Sequence, residues 1–96
     1  MNYQLIDNEL AKQYEFHIDG LIPRIEYIKA QKQVYLTHTE IPKELESKGI
    51  GATLVKQVLE EIKQKNLALV PLCPFVTLYI KRHPEWKTLV LKGIKI

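Results

Sequence analysis

The sequence predicts an α/β (α+β) fold: a mixed, mostly antiparallel sheet with two helices, in the order β-β-β-α-β-α-β. Three observations predict it. Asp19-Gly20 stands between two strand-like runs, the pairing that most strongly marks a tight hairpin. Ile50, Leu54, Val58 and Ile62 recur every four residues and lay one apolar stripe along a helix. Leu67-Ala68-Leu69-Val70-Pro71-Leu72 is short and continuously apolar, as a buried central strand is. The 96 residues make a single domain, 1–96, with enough chain for one core and not for two.

Taken in order, residues 1–12 carry no clear pattern and are expected to be an irregular lead-in or a short first turn. Strands follow over 14–18 and 21–28, joined by Asp19-Gly20, whose two positions both need positive φ. Pro23, early in the second run, marks a strand start or an edge, because it lacks the N–H a ladder needs. The polar turn Lys29-Ala30-Gln31-Lys32 leads to a third strand over 33–40. Strict alternation puts Val34, Leu36 and His38 on one face of it and Tyr35, Thr37 and Thr39 on the other.

A loop then reaches two glycines, Gly49 and Gly51, and a helix over about 49–65. Val55 and Leu59 widen its apolar stripe, Lys63 and Lys65 suit the negative end of its dipole, and Asn66 is the expected C-cap. The strand over 67–72 should run parallel to the strand before the helix, since one crossover joins them. Cys73-Pro74 opens a second helix over about 75–82, proline fitting the first helical position. His83-Pro84 closes it, because the residue before proline avoids the helical region. Trp86 and Thr88-Leu89-Val90-Leu91 are expected to be a last strand, broken by Gly93.

Hydrophobic residues make up 46% and charged residues 26%, ordinary values for a folded soluble chain. No apolar run approaches the roughly 20 residues of a membrane helix. The first residues, Met-Asn-Tyr-Gln-Leu-Ile-Asp, have neither a basic start nor an apolar core, so no signal peptide is expected. The single cysteine, Cys73, cannot form an intramolecular disulfide, and the cytoplasm is the expected location. The chain is expected to be a monomer.

Charge is uneven. Residues 1–47 carry five Lys/Arg against eight Asp/Glu, and residues 48–96 carry nine against three. The basic second half suits an anionic ligand such as a nucleotide or a coenzyme phosphate, or it is a solvated lysine-rich surface. Nucleic acid is poorly supported, with only Arg24 and Arg82 as arginines and no basic–aromatic interleaving.

The glycines carry the first functional reading. Without a Cβ they let a ligand approach the backbone, and the first N–H groups of a helix lack internal partners and attract anions. The same pair also fits a tight helix entry with no ligand. Leu54 stands where a dinucleotide fingerprint has its third glycine, and the Gly-Lys-Ser/Thr of a P-loop is absent, so neither motif applies.

Cys73, at a helix start, reads either as an activated thiolate able to take an acyl group or as a small buried apolar residue. His38, just before the glycine loop, reads as a general base or partner of Cys73, or as a structural histidine. Tyr79, one turn after Phe75, reads as a general acid toward a departing thiolate or as a core tyrosine. Glu44 and Glu46, ahead of the glycines, would repel a phosphate. His17, His38, His83 and Cys73 show no metal-ligand spacing, so no metal is expected.

The set His38-Thr39-Glu40, Gly49-Ile50-Gly51, Pro71-x-Cys73-x-Phe75 and Tyr79-Ile80-x-x-His83-Pro84-Glu85-Trp86 resembles the small single-domain branch of the GCN5-related N-acetyltransferases, the YjdJ-type family. The resemblance runs from about residue 13 to residue 86. It implies a truncated acyl-CoA N-acyltransferase fold and an acetyl-CoA-dependent N-acetyltransferase. The coenzyme A pyrophosphate would lie on Lys48, Gly49, Ile50, Gly51, Ala52 and Thr53. Cys73 and His38 match the suspected active residues of that branch, and Tyr79 the helix tyrosine of the wider superfamily.

One departure stands out. The superfamily loop reads Gln/Arg-x-x-Gly-x-Gly/Ala, and this chain has Glu46 at the Gln/Arg position and Ser47 where glycine is frequent. The expected partners are a coenzyme A thioester and an amine acceptor of unknown identity. The alternative is a non-catalytic acyl-CoA-binding module, since the short branch lacks much of what larger members use to build an acceptor site.

Overall fold

A computed structural model describes residues 3–96. Five strands form one sheet in chain order: β1 (Ile6–Asn8), β2 (Gln13–Glu15), β3 (Arg24–Ala30), β4 (Gln33–Glu40) and β5 (Ala68–Pro71). The first four pair antiparallel and β5 runs parallel to β4. Helix α1 (Ile50–Gln64) makes the crossover, and α2 (Pro74–Arg82) follows β5. The expected fold class is the one observed, with differences at both ends.

The turn at Asp19-Gly20 sets the register of the β2–β3 hairpin. Both residues hold positive φ, 51° and 79°. Ile18 and Leu21 exchange both backbone bonds across it, at 2.9 and 2.8 Å. The same offset continues into Gln13↔Glu26, Tyr14↔Ile25 and Glu15↔Arg24. Between these the ladder lapses at Pro23, which accepts from the Phe16 N–H at 3.1 Å and has no N–H to return.

The irregular lead-in expected over 1–12 contains β1, while Met1 and Asn2 lie outside the described residues. Ile6-Asp7-Asn8 is too short and polar to announce itself. Its side chains tie it down: Asp7 accepts from the Tyr27 hydroxyl and from Lys29 Nζ at 2.9 Å. The first half of the last strand expected over 88–91 belongs instead to a 3-10 helix, Pro84–Leu89. Pro84 presets its first turn. Only Val90 joins the sheet, by one parallel bridge to Leu69, where the Leu91 N–H donates to Leu69 O at 2.8 Å.

Helix α1 buries the predicted stripe of Ile50, Leu54, Val55, Val58, Leu59 and Ile62. It packs over Tyr14, Phe16, Ile25, Val34, Leu36 and Leu69 of the sheet, with Val76 and Ile80 of α2 in the same core. Each fully buried side chain of this size contributes at most about 1.5–3 kcal/mol. The helix ends as its sequence predicts. Asn66 takes φ 56°, and the N–H groups of Asn66 and Leu67 donate to Lys63 O and Ile62 O at 3.1 Å each. That is the Schellman closure.

Candidate functional site

The site begins where the sheet comes apart. β4 and β5 pair only from Gln33↔Ala68 to Leu36↔Pro71, while β4 stays paired with β3 as far as Glu40↔Arg24. At Leu36 the carbonyl accepts from both Leu72 and Cys73 N–H, at 3.0 Å each, and β5 turns away. Proline at the last β5 position suits a strand that stops there. Thr37 to Glu40 therefore have no β5 neighbour, and a wedge opens between the end of β4 and the start of α2.

A β-bulge changes which β4 residues face that wedge. The β3–β4 register shifts between Glu26 and Tyr27, so Glu26 pairs with His38 and Tyr27 with Leu36, leaving Thr37 extra. Its hydroxyl donates to Glu26 O at 3.2 Å. One extra residue reverses the alternation beyond it. The expected face of Val34, Leu36 and His38 is thus broken after Leu36. Thr39 faces the helices, with Oγ1 3.1 Å from Cys73 Sγ. His38 instead pairs with Glu40 at 3.0 Å, both more than half exposed. The partner of Cys73 is therefore Thr39 and not His38, for which that pairing was one of the roles left open, and strict alternation could not have found it.

Cys73 is the N-cap of α2, with Pro74 at the first helical position, as the sequence predicts. Its carbonyl accepts the Val76 and Thr77 N–H groups, both at 3.1 Å. The side chain is only 4% exposed, so the sulfur meets the site through Thr39.

Across the wedge stands the start of α1. A 3-10 turn, Lys43–Leu45, drops Leu45 into the core, and Ser47 and Gly49 follow with φ 69° and 73°. The position where glycine is frequent in the resembled family thus holds the left-handed conformation that explains the preference. Gly49 is the N-cap and, having no side chain, caps nothing. Its carbonyl accepts both the Thr53 N–H at 3.1 Å and the Thr53 hydroxyl at 3.0 Å. Both Thr53 donors are thereby used inside the helix. The outward donors are the N–H groups of Ile50, Gly51 and Ala52, which first-turn geometry leaves without helical partners.

Ile50, Gly51 and Ala52 line a cleft of about 500 Å³ whose walls also include Thr39, Ile41, Leu45, Glu46, Ser47 and Phe75. Thr53 and the Lys48 side chain, expected at the site, are not on its walls. Phe75 was not singled out from the sequence. A Cβ added to Gly51 would lie 2.6 Å from Phe75 Cζ, so the second glycine is the seat of an aromatic ring. A smaller chamber of about 140 Å³ adjoins, lined by Ala52, Phe75, Leu78, Tyr79, Arg82 and His83. There the Tyr79 and His83 rings stack with centroids 4.2 Å apart, and His83 Nδ1 lies 3.0 Å from Tyr79 O. Burial, aided by Glu85 and Glu60, pushes the Tyr79 phenol above its usual range, so it keeps its proton at neutral pH. Among the described residues no group of His, Cys, Asp and Glu could hold a metal, and no helix is long and apolar enough to cross a membrane.

A sheet that parts between two parallel strands, with a glycine-opened helix start facing the gap, defines an α/β domain with a cleft at the parting. The particular kind follows from comparison. The family model described as GCN5-related N-acetyl-transferase matches residues 13–89, and the chain belongs to that family. Its fold is similar to that of a GCN5-like protein from Staphylococcus aureus solved by NMR. That likeness has a TM-score of 0.72 and 22% identity, and covers 98% of this chain and 92% of the other. No curated protein matches the chain. Family and fold together point to acyl transfer from acetyl-CoA.

Proposed function

We propose that this protein transfers the acetyl group of acetyl-CoA to an amine, with the coenzyme diphosphate held at the start of α1. The observation that carries the reading is the first turn of α1. Ile50, Gly51 and Ala52 line the cleft, first-turn N–H groups have no helical partners, and the helix dipole favours an anion there. The thioester end then points along the wedge toward Thr39 and Cys73. In this reaction the acceptor nitrogen attacks the thioester carbonyl, the carbon–sulfur bond breaks, and the thiolate leaves.

The chain's own residues divide that work. If the Cys73 thiol donates to Thr39 Oγ1, the Thr39 hydroxyl is left to donate to the carbonyl oxygen as charge develops there. Tyr79, still protonated at neutral pH, is the acid for the departing sulfur. His38, turned by the bulge to the opposite face of β4 and paired with Glu40 at 3.0 Å, takes no part at the thioester, and the acceptor's proton passes to solvent. The burial of Cys73 favours direct attack by the amine over an acetyl-cysteine relay.

A second reading, a coenzyme A-binding module without turnover, is favoured by His38, which the bulge turns away from Cys73 and leaves paired with Glu40. An amide NMR titration with acetyl-CoA, paired with thiol release in the presence of a panel of amines, separates the two. Shifts at residues 48–53 and 73 with thiol release support the enzyme, and shifts without release support the module. No shifts at millimolar acetyl-CoA would refute both.

A further inference from the structure

The proposed site is divided. The larger cleft is lined by the first turn of α1 and reaches Cys73 through Thr39, whereas Tyr79, Arg82 and His83 line the smaller chamber. The two cavities share Ala52 and Phe75. One extended thioester cannot meet the α1 donors with its phosphates and Tyr79 with its sulfur unless it passes the Phe75 ring.

The ring is placed to move. Phe75 is 43% exposed, so swinging its tip outward forfeits little packing. Its resting place is the face of Gly51, where any Cβ would come within 2.6 Å of Cζ. Glycine inside a helix costs about 0.5–1 kcal/mol relative to alanine. Gly51 has ordinary helical φ and needs no left-handed freedom, so seating the ring is what the structure shows it doing.

We infer that Phe75 is a gate between the diphosphate cleft and the Tyr79 chamber, closed against Gly51 in the free protein and turned aside when a coenzyme A thioester binds. The inference rests on the reading of the site as an acetyl-CoA site and adds the residue that controls entry to its reacting end. A closed ring lowers apparent affinity by the fraction of time the gate is open.

The experiment compares the full chain with its Phe75→Leu variant, which removes the ring at a partly exposed position and so preserves the fold. NMR reads the Gly51 Hα and N–H signals, displaced in the free protein by the ring current of Phe75. Coenzyme A at saturation should move the wild-type Gly51 signals to their positions in liganded Phe75→Leu. Phe75→Leu should bind coenzyme A about tenfold more tightly if the open ring is populated roughly a tenth of the time. A Gly51 ring-current offset that persists at saturation, or equal or weaker binding by the variant, overturns the gate while leaving the acetyl-CoA site standing. Failure of both proteins to bind coenzyme A overturns the site reading and the gate with it, and binding by the variant alone supports the gate.

Discussion

Replacing Glu46 by glutamine tests the site reading at its most unfavourable residue. Glu46 lies on the wall of the cleft that Ile50, Gly51 and Ala52 also line. For a diphosphate about 6 Å from the carboxylate, an effective dielectric of about 40 gives about 1.4 kcal/mol of repulsion per charge pair. Salt at 0.15 M, with a screening length of about 8 Å, halves that. Two phosphate charges then leave about 1.3 kcal/mol, close to a factor of ten in affinity. Glu46→Gln should therefore bind coenzyme A about tenfold more tightly by calorimetry at 0.15 M salt, and the gain should shrink toward twofold at 1 M, where screening lengths are about 3 Å. Glu44→Gln, on a residue outside the cleft, should change affinity far less. Equal affinities for wild type and Glu46→Gln at low salt would refute a diphosphate at this helix start.

Four further outcomes are expected. Cys73→Ala should lower transfer about tenfold through loss of the Thr39 hydroxyl's orientation, comparable to losing part of one oxyanion donor; loss below detection would instead make Cys73 the nucleophile. Leu54→Ala, at a fully buried position, should destabilise by about 2–5 kcal/mol in urea denaturation, and a change under 1 kcal/mol would contradict the packing. Tyr14→Phe should stabilise by about 1 kcal/mol, because among the described residues the buried Tyr14 hydroxyl has no partner, and a loss of stability would show that it has one. Burial raises the Glu15 carboxyl, but hydrogen bonds from Asn8, Gln13 and His17 outweigh it and hold the pKa below its ordinary value. Its stabilisation is thus present above about pH 4.3 and is lost as pH falls through the lower folded value. Glu15→Gln should cost about 1–3 kcal/mol at pH 7 and less at pH 3, and an equal cost at both would refute the charge's role.

The middle of the fold was legible because its signals are local. Asp19-Gly20 needs two positive φ values and obtains them, the four-residue stripe of α1 is buried as spaced, and Cys73-Pro74 and His83-Pro84 bound α2 where proline chemistry requires. The ends were not, for opposite reasons. β1 is held by bonds from Tyr27 and Lys29 to Asp7, partners about 20 residues away that Ile6-Asp7-Asn8 does not announce. The segment over 88–91 looks like a strand by composition, yet Pro84 starts a 3-10 helix that takes its first half.

Within the site, the glycine loop and the cysteine could be read from residue types, but their neighbours could not. The bulge at Thr37 turns Thr39 toward Cys73 and His38 away from it, and nothing in Leu36-Thr37-His38-Thr39 encodes that choice. A bulge arises from how two strands must bend against the rest of the sheet. Here it coincides with the point where β5 leaves β4, so the same stretch that opens the wedge also decides which side chains enter it. Deleting Thr37 would remove the bulge and leave Leu36-His38-Thr39 in plain alternation, with both residues on the faces they hold now. Thr39 would still face Cys73 with their hydrogen bond kept, and His38 would still face away. A deletion variant that retains the fold but loses that hydrogen bond, seen in the Thr39 hydroxyl and Cys73 thiol shifts, would show that the sheet's splay, and not the extra residue, sets the face.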